Sequence, residues 1–204
     1  MSFIYEIETR FRFKEDTEVY KKLPFLKSVL TKKVNWKTTH YGLEEFRKDI
    51  VIRISYDQVN KQQICSLGYK EADLGKKLNI RKEYDEEITS GVQNSKILSR
   101  LGGSSSLSSS GEVKTELKEL GYQPFMSFSG NSYLGTAQQL ELDFKLMYCN
   151  DLKYPILLEV EVEAETKDDI VKQKQKLLGF IEQYDLAARL VPEEPPTLLY
   201  QREF

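Results

Sequence analysis

Apolar and polar residues alternate along most of this chain with a period of two, the pattern of strands that show one face to a core and the other to water. The alternation predicts strands over residues 2–13, 32–41, 50–57, 62–69, 78–88, 124–128, 140–148 and 155–164. Because few of these runs are continuously apolar, antiparallel pairing with one dry face is favoured over a buried parallel sheet. Helical spacing appears between them. Asp16 is placed to cap a short helix through Lys22 that ends before Pro24, and residues 89–101 and 112–120 read as helices. Thr166 opens a longer helix to about Asp185, with Ile170, Lys174, Leu177, Leu178 and Ile181 as a mostly apolar stripe that should pack outside the strands. Residues 192–196 start an extended tail that carries Tyr200. The expected fold class is α+β, an antiparallel eight-stranded β-barrel with flanking helices.

One segment breaks the pattern. Residues 102–111 read Gly-Gly-Ser-Ser-Ser-Leu-Ser-Ser-Ser-Gly, a composition with little to bury and the character of a flexible linker. It divides the chain into halves that each carry one acidic strand, without a repeat strong enough to mark duplication. The expectation is a single domain over 1–204 with this linker inside it.

Composition narrows the chemistry. With 204 residues the chain can bury a core without staples, and 30 Lys plus Arg against 32 Asp plus Glu leave no global field for coating nucleic acid. Cys65 and Cys149 are too few for a disulfide framework and are not spaced as a zinc site, which points to a reducing, cytoplasmic setting. His40 is the single histidine, so Ser-His-Asp or Cys-His catalysis is disfavoured. The chain starts on a strand-like Phe3-Ile4-Tyr5 and has no apolar run of membrane-spanning length, so a soluble, unprocessed protein is expected. No P-loop follows Gly102-Gly103.

The chemistry lies in the charged strands. Glu6-Ile7-Glu8-Thr9-Arg10 and Glu159-Val160-Glu161-Val162-Glu163 each stack carboxylates on one face of a strand. Either run alone also fits an ordinary solvated sheet face. Two such runs, joined by cations inside strands at Arg10, Arg12, Arg53, Lys70 and Arg81, fit a wet barrel interior better. Hard carboxylate oxygens facing Arg and Lys are what a metal-bound polyphosphate requires: ligands for Mg²⁺ or Mn²⁺ on one side, donors to phosphate oxygens on the other.

On these residues the chain resembles the CYTH family, the triphosphate tunnel metalloenzymes. Glu6-Ile7-Glu8-Thr9-Arg10 is similar to the family's Glu-x-Glu-x-Lys strand with Arg for Lys. Arg47-Lys48-Asp49-Ile50-Val51-Ile52-Arg53-Ile54 resembles its basic strand, Tyr69-Lys70 its lysine strand, and Arg81-Lys82-Glu83-Tyr84 its Arg-x-Glu strand. Asp143 and Leu158-Glu159-Val160-Glu161 resemble the closing acidic strands. The resemblance implies a tunnel that hydrolyses a triphosphate with Mg²⁺ or Mn²⁺ held by Glu6, Glu8, Glu159 and Glu161, phosphates bound by Arg10, Arg53, Lys70 and Arg81, and Glu83 holding Arg81. The implied substrate is inorganic, nucleoside or thiamine triphosphate, or an RNA 5′ end. A class IV adenylyl cyclase making cyclic AMP, or a catalytically weakened tunnel that only binds, are the alternatives. No membrane and no stable DNA partner are implied, and a homodimer is left open.

Two departures from the family matter. Where it carries a Lys-x-Arg pair, this chain has Phe125-Met126-Ser127-Phe128-Ser129-Gly130-Asn131, and Ser55 stands where a second arginine often follows Arg53. Lost charge-assisted contacts of roughly 1.5 to 3 kcal/mol each would weaken phosphate binding by orders of magnitude. Lys145 and Arg12 are the candidates to compensate.

Overall fold

The computed structural model describes residues 5–42, 49–57, 60–75 and 78–203. Its strands are β1 (Tyr5–Phe13), β2 (Lys32–Gly42), β3 (Asp49–Asp57), β4 (Gln62–Lys70), β5 (Asn79–Glu87), β6 (Gln123–Ala137), β7 (Leu142–Tyr148) and β8 (Ile156–Ala164). They hydrogen-bond in the order β1-β5-β4-β3-β2-β6-β7-β8 and close, with β1 antiparallel to both β5 and β8. The fold is the expected α+β antiparallel barrel, and closure removes the exposed strand edges that an open sheet would have to protect. Helices α1 (Asp16–Lys22), α2 (Leu26–Val29), α3 (Lys96–Leu101), α4 (Ser110–Glu119), α5 (Lys167–Gln183) and α6 (Pro195–Glu203) flank it. Among the described residues, no helix is long and apolar enough to cross a membrane.

Among the described residues, packing separates two compact units. The first draws on Met1–Val34, Ala72–Lys82 and Gly130–Phe204, the second on Asn35–Glu71 and Glu83–Ser129. In the first, alternation sends Ile7, Phe11 and Phe13 of β1, Phe144 and Leu146 of β7, and Leu158 and Val160 of β8 into one core. Val19 of α1, Leu23 just after it, Leu26 of α2, and Leu177, Phe180 and Ile181 of α5 cover that core from outside. Period two then leaves Glu6, Glu8, Arg10, Glu159 and Glu161 on the opposite face of the same strands, toward the barrel interior. The stripe of α5 is narrower than expected, because Leu178 is 38% exposed. Gly135 of β6 marks a close approach in the first unit: a Cβ there would lie 1.8 Å from the carbonyl oxygen of Val29. Gly135→Ala is therefore expected to lower stability by about 1–3 kcal/mol through overpacking. A urea midpoint equal to that of the wild type would refute this.

The second unit has its own core. Ile52 of β3, Cys65 and Leu67 of β4, and Ile88 pack against Ile97 and Leu98 of α3 and Val113 and Leu117 of α4. Here the Gly/Ser stretch makes specific contacts. Val92 and Leu107 exchange backbone hydrogen bonds, Ser95 N–H donates to the Ser105 carbonyl, and Ser109 caps α4 by accepting from Glu112 N–H. A composition poor in apolar mass thus supplies caps and turns instead.

Three boundaries differ from the sequence reading. The helix expected over 89–101 is confined to α3, because Gly91 and Asn94 take left-handed φ values of 86° and 57° and Ser95 then caps the helix at Lys96. β6 runs on through Ser129 and Gly130 to Ala137, and from Asn131 onward it pairs with β7, which overrides weak local strand propensity. The tail is helical rather than extended: Pro195 opens α6, a position where its missing N–H and fixed φ suit a first turn.

Candidate functional site

The register of the first unit sorts the charged residues into rows. Across β1 and β8, Glu6 lies opposite Glu163, Glu8 opposite Glu161, and Arg10 opposite Glu159. On the other side of β1, Glu6 faces Arg81 and Glu8 faces Asn79 of β5. Beyond β8, Asp143 of β7 faces Glu161, and Lys145 faces Glu159. One row, Arg10-Glu159-Lys145, alternates in sign. The row beside it, Asn79-Glu8-Glu161-Asp143, sets carboxylate against carboxylate, an arrangement that destabilises a sheet unless something else neutralises it.

The alternating row is closed on itself. Arg10 Nε donates to Glu159 Oε1 at 2.8 Å and Lys145 Nζ donates to Glu159 Oε2 at 2.6 Å. Arg10 Nη2 also pairs with Glu8 and, at 3.0 Å, with Glu194. Arg10 and Glu159 are almost wholly buried. Burial alone would raise the Glu159 carboxyl, but Lys145 and Arg10 hold it well below the usual carboxylate range. Burial likewise opposes the Arg10 charge, and Glu8, Glu194 and Glu159 more than offset it.

The acidic row behaves in the opposite way. Single carboxylate oxygens of Glu6, Glu8 and Glu161 all lie within 4.8 Å of one another. Burial pushes the Glu161 carboxyl up; Lys145 opposes, while Glu159, Glu8 and Asp143 add to the rise, and the group is pushed up to about 7. Glu159 is not a member of this trio, its two oxygens being taken by Arg10 and Lys145. Sequence reasoning grouped all four glutamates by face, and only the register separates them.

The expected cations divide between the units. In the first, Arg81 is buried and pairs with Glu194 and, at 3.8 Å, with Glu8. In the second, Arg53 is exposed and helps to oppose the burial-driven rise of the Asp85 carboxyl, and Lys70 pairs with Glu83 at 2.6 Å. Glu83, expected beside Arg81, is thus engaged by Lys70. Arg47 and Lys48 lie outside the described residues. Of the two compensating candidates, Lys145 is bound to Glu159, whereas the Arg12 guanidinium lies 4.8 Å over the Tyr154 ring. Arg12 also lines a cavity of about 400 Å³ with Lys14, Tyr154 and Arg189.

Two site residues escaped the sequence reading. Asn79 donates to Glu8 Oε1 at 3.3 Å and to Glu194 Oε1 at 3.2 Å; its place two residues before Arg81 on one strand was the signal that could have found it. Glu194 sits in Glu193-Glu194-Pro195-Pro196, just before α6, where no periodicity marks a face.

No family model and no curated protein sequence matches the chain. Solved structures do. A protein of Pyrococcus horikoshii OT3, PH1819, superposes with a TM-score of 0.72 at 15% identity, over 98% of this chain and 99% of its own. HpAC1 of Hippeastrum, described as having a dominant triphosphatase activity, matches with a TM-score of 0.59 at 16% identity, over 97% of this chain and 96% of its own. This chain has the triphosphate tunnel fold. A candidate adenylate cyclase of Vibrio parahaemolyticus shares the tunnel fold with a TM-score of 0.65 at 14% identity, over 96% of this chain and 98% of its own. At such identities the likeness is one of architecture, and chemistry must be argued from the tunnel's own residues.

Proposed function

We propose that this tunnel hydrolyses a triphosphate-bearing substrate with a divalent cation held by Glu6, Glu8 and Glu161. The observation that carries the reading is the convergence of those three carboxylates within 4.8 Å beside buried guanidinium groups. Their crowding, expressed in the raised Glu161 carboxyl, is relieved by a hard cation with oxygen ligands, so the donor set fits Mg²⁺ or Mn²⁺. When bound, such an ion supplies Lewis-acid neutralisation of phosphate oxygens. Arg81 and Arg10 donate to the phosphates and stabilise charge on the leaving oxygen. Glu159, a metal ligand by the sequence resemblance, instead orients Arg10 and Lys145.

One observation favours a second reading, a tunnel that binds without turnover. In the second unit the strand expected to carry Lys-x-Arg presents Phe128, which stacks on buried His40 at 5.6 Å and meets buried Trp36 edge-on at 5.6 Å. Aromatic packing has taken the place of cations there. The test is incubation with Mn²⁺ or Mg²⁺ and inorganic triphosphate, ATP, GTP, thiamine triphosphate or 5′-triphosphate RNA, with products resolved by chromatography. Orthophosphate supports hydrolysis, cyclic AMP with pyrophosphate replaces it with cyclisation, and metal-sensitive binding without product selects the second reading.

Metal binding should also depend on pH with a definite sign. Ligation needs Glu161 ionised, and its carboxyl is pushed up to about 7. Apparent Mn²⁺ affinity is therefore expected to rise as pH increases through that value and then level off. Calorimetry in buffers of different ionisation enthalpy should show proton release at pH 6 and little at pH 8.5. Equal affinity at both would remove Glu161 from the ligand set.

A further inference from the structure

We propose that Glu194 holds the place of a substrate phosphate, and that the C-terminal segment carrying it is a strap that must leave before a triphosphate can bind. The inference rests on the triphosphate reading above and adds a competitor built into the chain. A single oxygen, Glu194 Oε1, accepts from Arg10 Nη2 at 3.0 Å, from Asn79 Nδ2 at 3.2 Å and from Arg81 Nη2. Convergence of two guanidinium groups and an amide on one anionic oxygen is the arrangement that binds a phosphate oxygen. Here a carboxylate of the same chain fills it.

Position makes Glu194 the removable member of the cluster. Glu8 and Glu159, the other carboxylates on Arg10, are fixed in β1 and β8 with side chains 3% and 5% exposed, whereas that of Glu194 is 21% exposed and lies outside the strands. The segment is tethered beside the site, through a bridge between Phe11 and Leu190 and a 2.9 Å hydrogen bond from Val191 N–H to the Arg10 carbonyl. Leu198 N–H donates to the Glu194 carbonyl at 3.0 Å, so movement of Glu194 would carry the first turn of α6 with it.

Charge supplies the driving force. Glu6, Glu8, Glu159, Glu161 and Glu194 already outnumber Arg10, Arg81 and Lys145, and a triphosphate adds several negative charges. Release of Glu194 removes one of them and frees three donors in the same step. The carboxylate recovers hydration outside.

The test uses the full chain, with inorganic triphosphate and Ca²⁺ as the probe. Glu194→Gln is expected to bind about tenfold more tightly by calorimetry, the equivalent of one charge-assisted hydrogen bond that no longer has to be surrendered. In the wild type, which needs no variant to fold, triphosphate should increase hydrogen exchange in residues 190–198 while β1 stays protected. Unchanged or weaker binding by the variant, with 190–198 equally protected in both states, overturns the strap and leaves the tunnel reading standing. If neither protein binds the probe, the tunnel reading fails and the strap fails with it. Binding by Glu194→Gln alone supports both.

Discussion

Glu161→Gln is expected to silence metal-dependent phosphate release and, in the absence of metal, to make the barrel more stable than the wild type at pH 8. The two effects share one cause. Glu161 faces Glu8 across one strand pair and Asp143 across the next, and its carboxyl is pushed up to about 7 by burial and by those neighbours. A carboxyl raised in the folded state contributes stability that is complete below its unfolded value, near 4.3, and is lost as pH rises through about 7. Glutamine has no proton to lose, so the variant escapes that loss. The gain at pH 8 should be on the order of 1–3 kcal/mol, vanishing near pH 4. Loss of a ligand should exceed the roughly 10–100-fold fall that accompanies removal of an outer-shell partner. Phosphate release from inorganic triphosphate and urea unfolding in chelator at the two pH values measure both. Full activity, or identical urea midpoints at pH 8, would discard the assignment.

Two residues earlier on the same strand and face, the same substitution should have the opposite effect. Glu159→Gln breaks a buried pair in which Arg10 and Lys145 each donate to the carboxylate. The expected loss is about 2–4 kcal/mol, because Arg10 retains Glu8 and Glu194 while the buried charge balance is disturbed. The pH dependence reverses too. A carboxyl held below its usual range contributes stability that is present above the unfolded value and lost as pH falls through the lower folded value. The deficit of Glu159→Gln should therefore persist unchanged from pH 6 to pH 8, where that of Glu161→Gln is a widening surplus. Urea midpoints across that range decide the matter, and parallel behaviour of the two variants would mean that the alternating and acidic rows have no energetic reality.

The contrast shows where sequence reading stops. Period two placed Glu6, Glu8, Glu159 and Glu161 on one kind of face, and alternation was enough to anticipate an antiparallel barrel. Which carboxylate meets which is set by cross-strand register, and a one-residue slip would exchange core and lumen faces altogether. Register is fixed by packing of Ile7, Phe11, Leu158 and Val160, residues whose spacing is visible but whose partners are not. Glu194 was illegible for another reason. It acts from an irregular segment, and tertiary contact alone brings it to Arg10 and Arg81. The extension of β6 past Gly130 is likewise decided by its pairing with β7, whereas the helical tail follows from Pro195, which suits a first turn.

Pairing of β1 with β8 has a kinetic consequence. Arg10 and Glu159 are 149 residues apart in sequence, so their contact forms only after nearly all of the intervening chain has been organised, and loop closure of that length slows folding. On the ribosome, Glu6 and Glu8 emerge early and wait for Glu161. If the proposed cation site at Glu6, Glu8 and Glu161 is correct, competence to bind a cation is acquired late and all at once, and cation binding would report completed closure in any variant whose helices and hairpins have formed but whose first and last strands have not met.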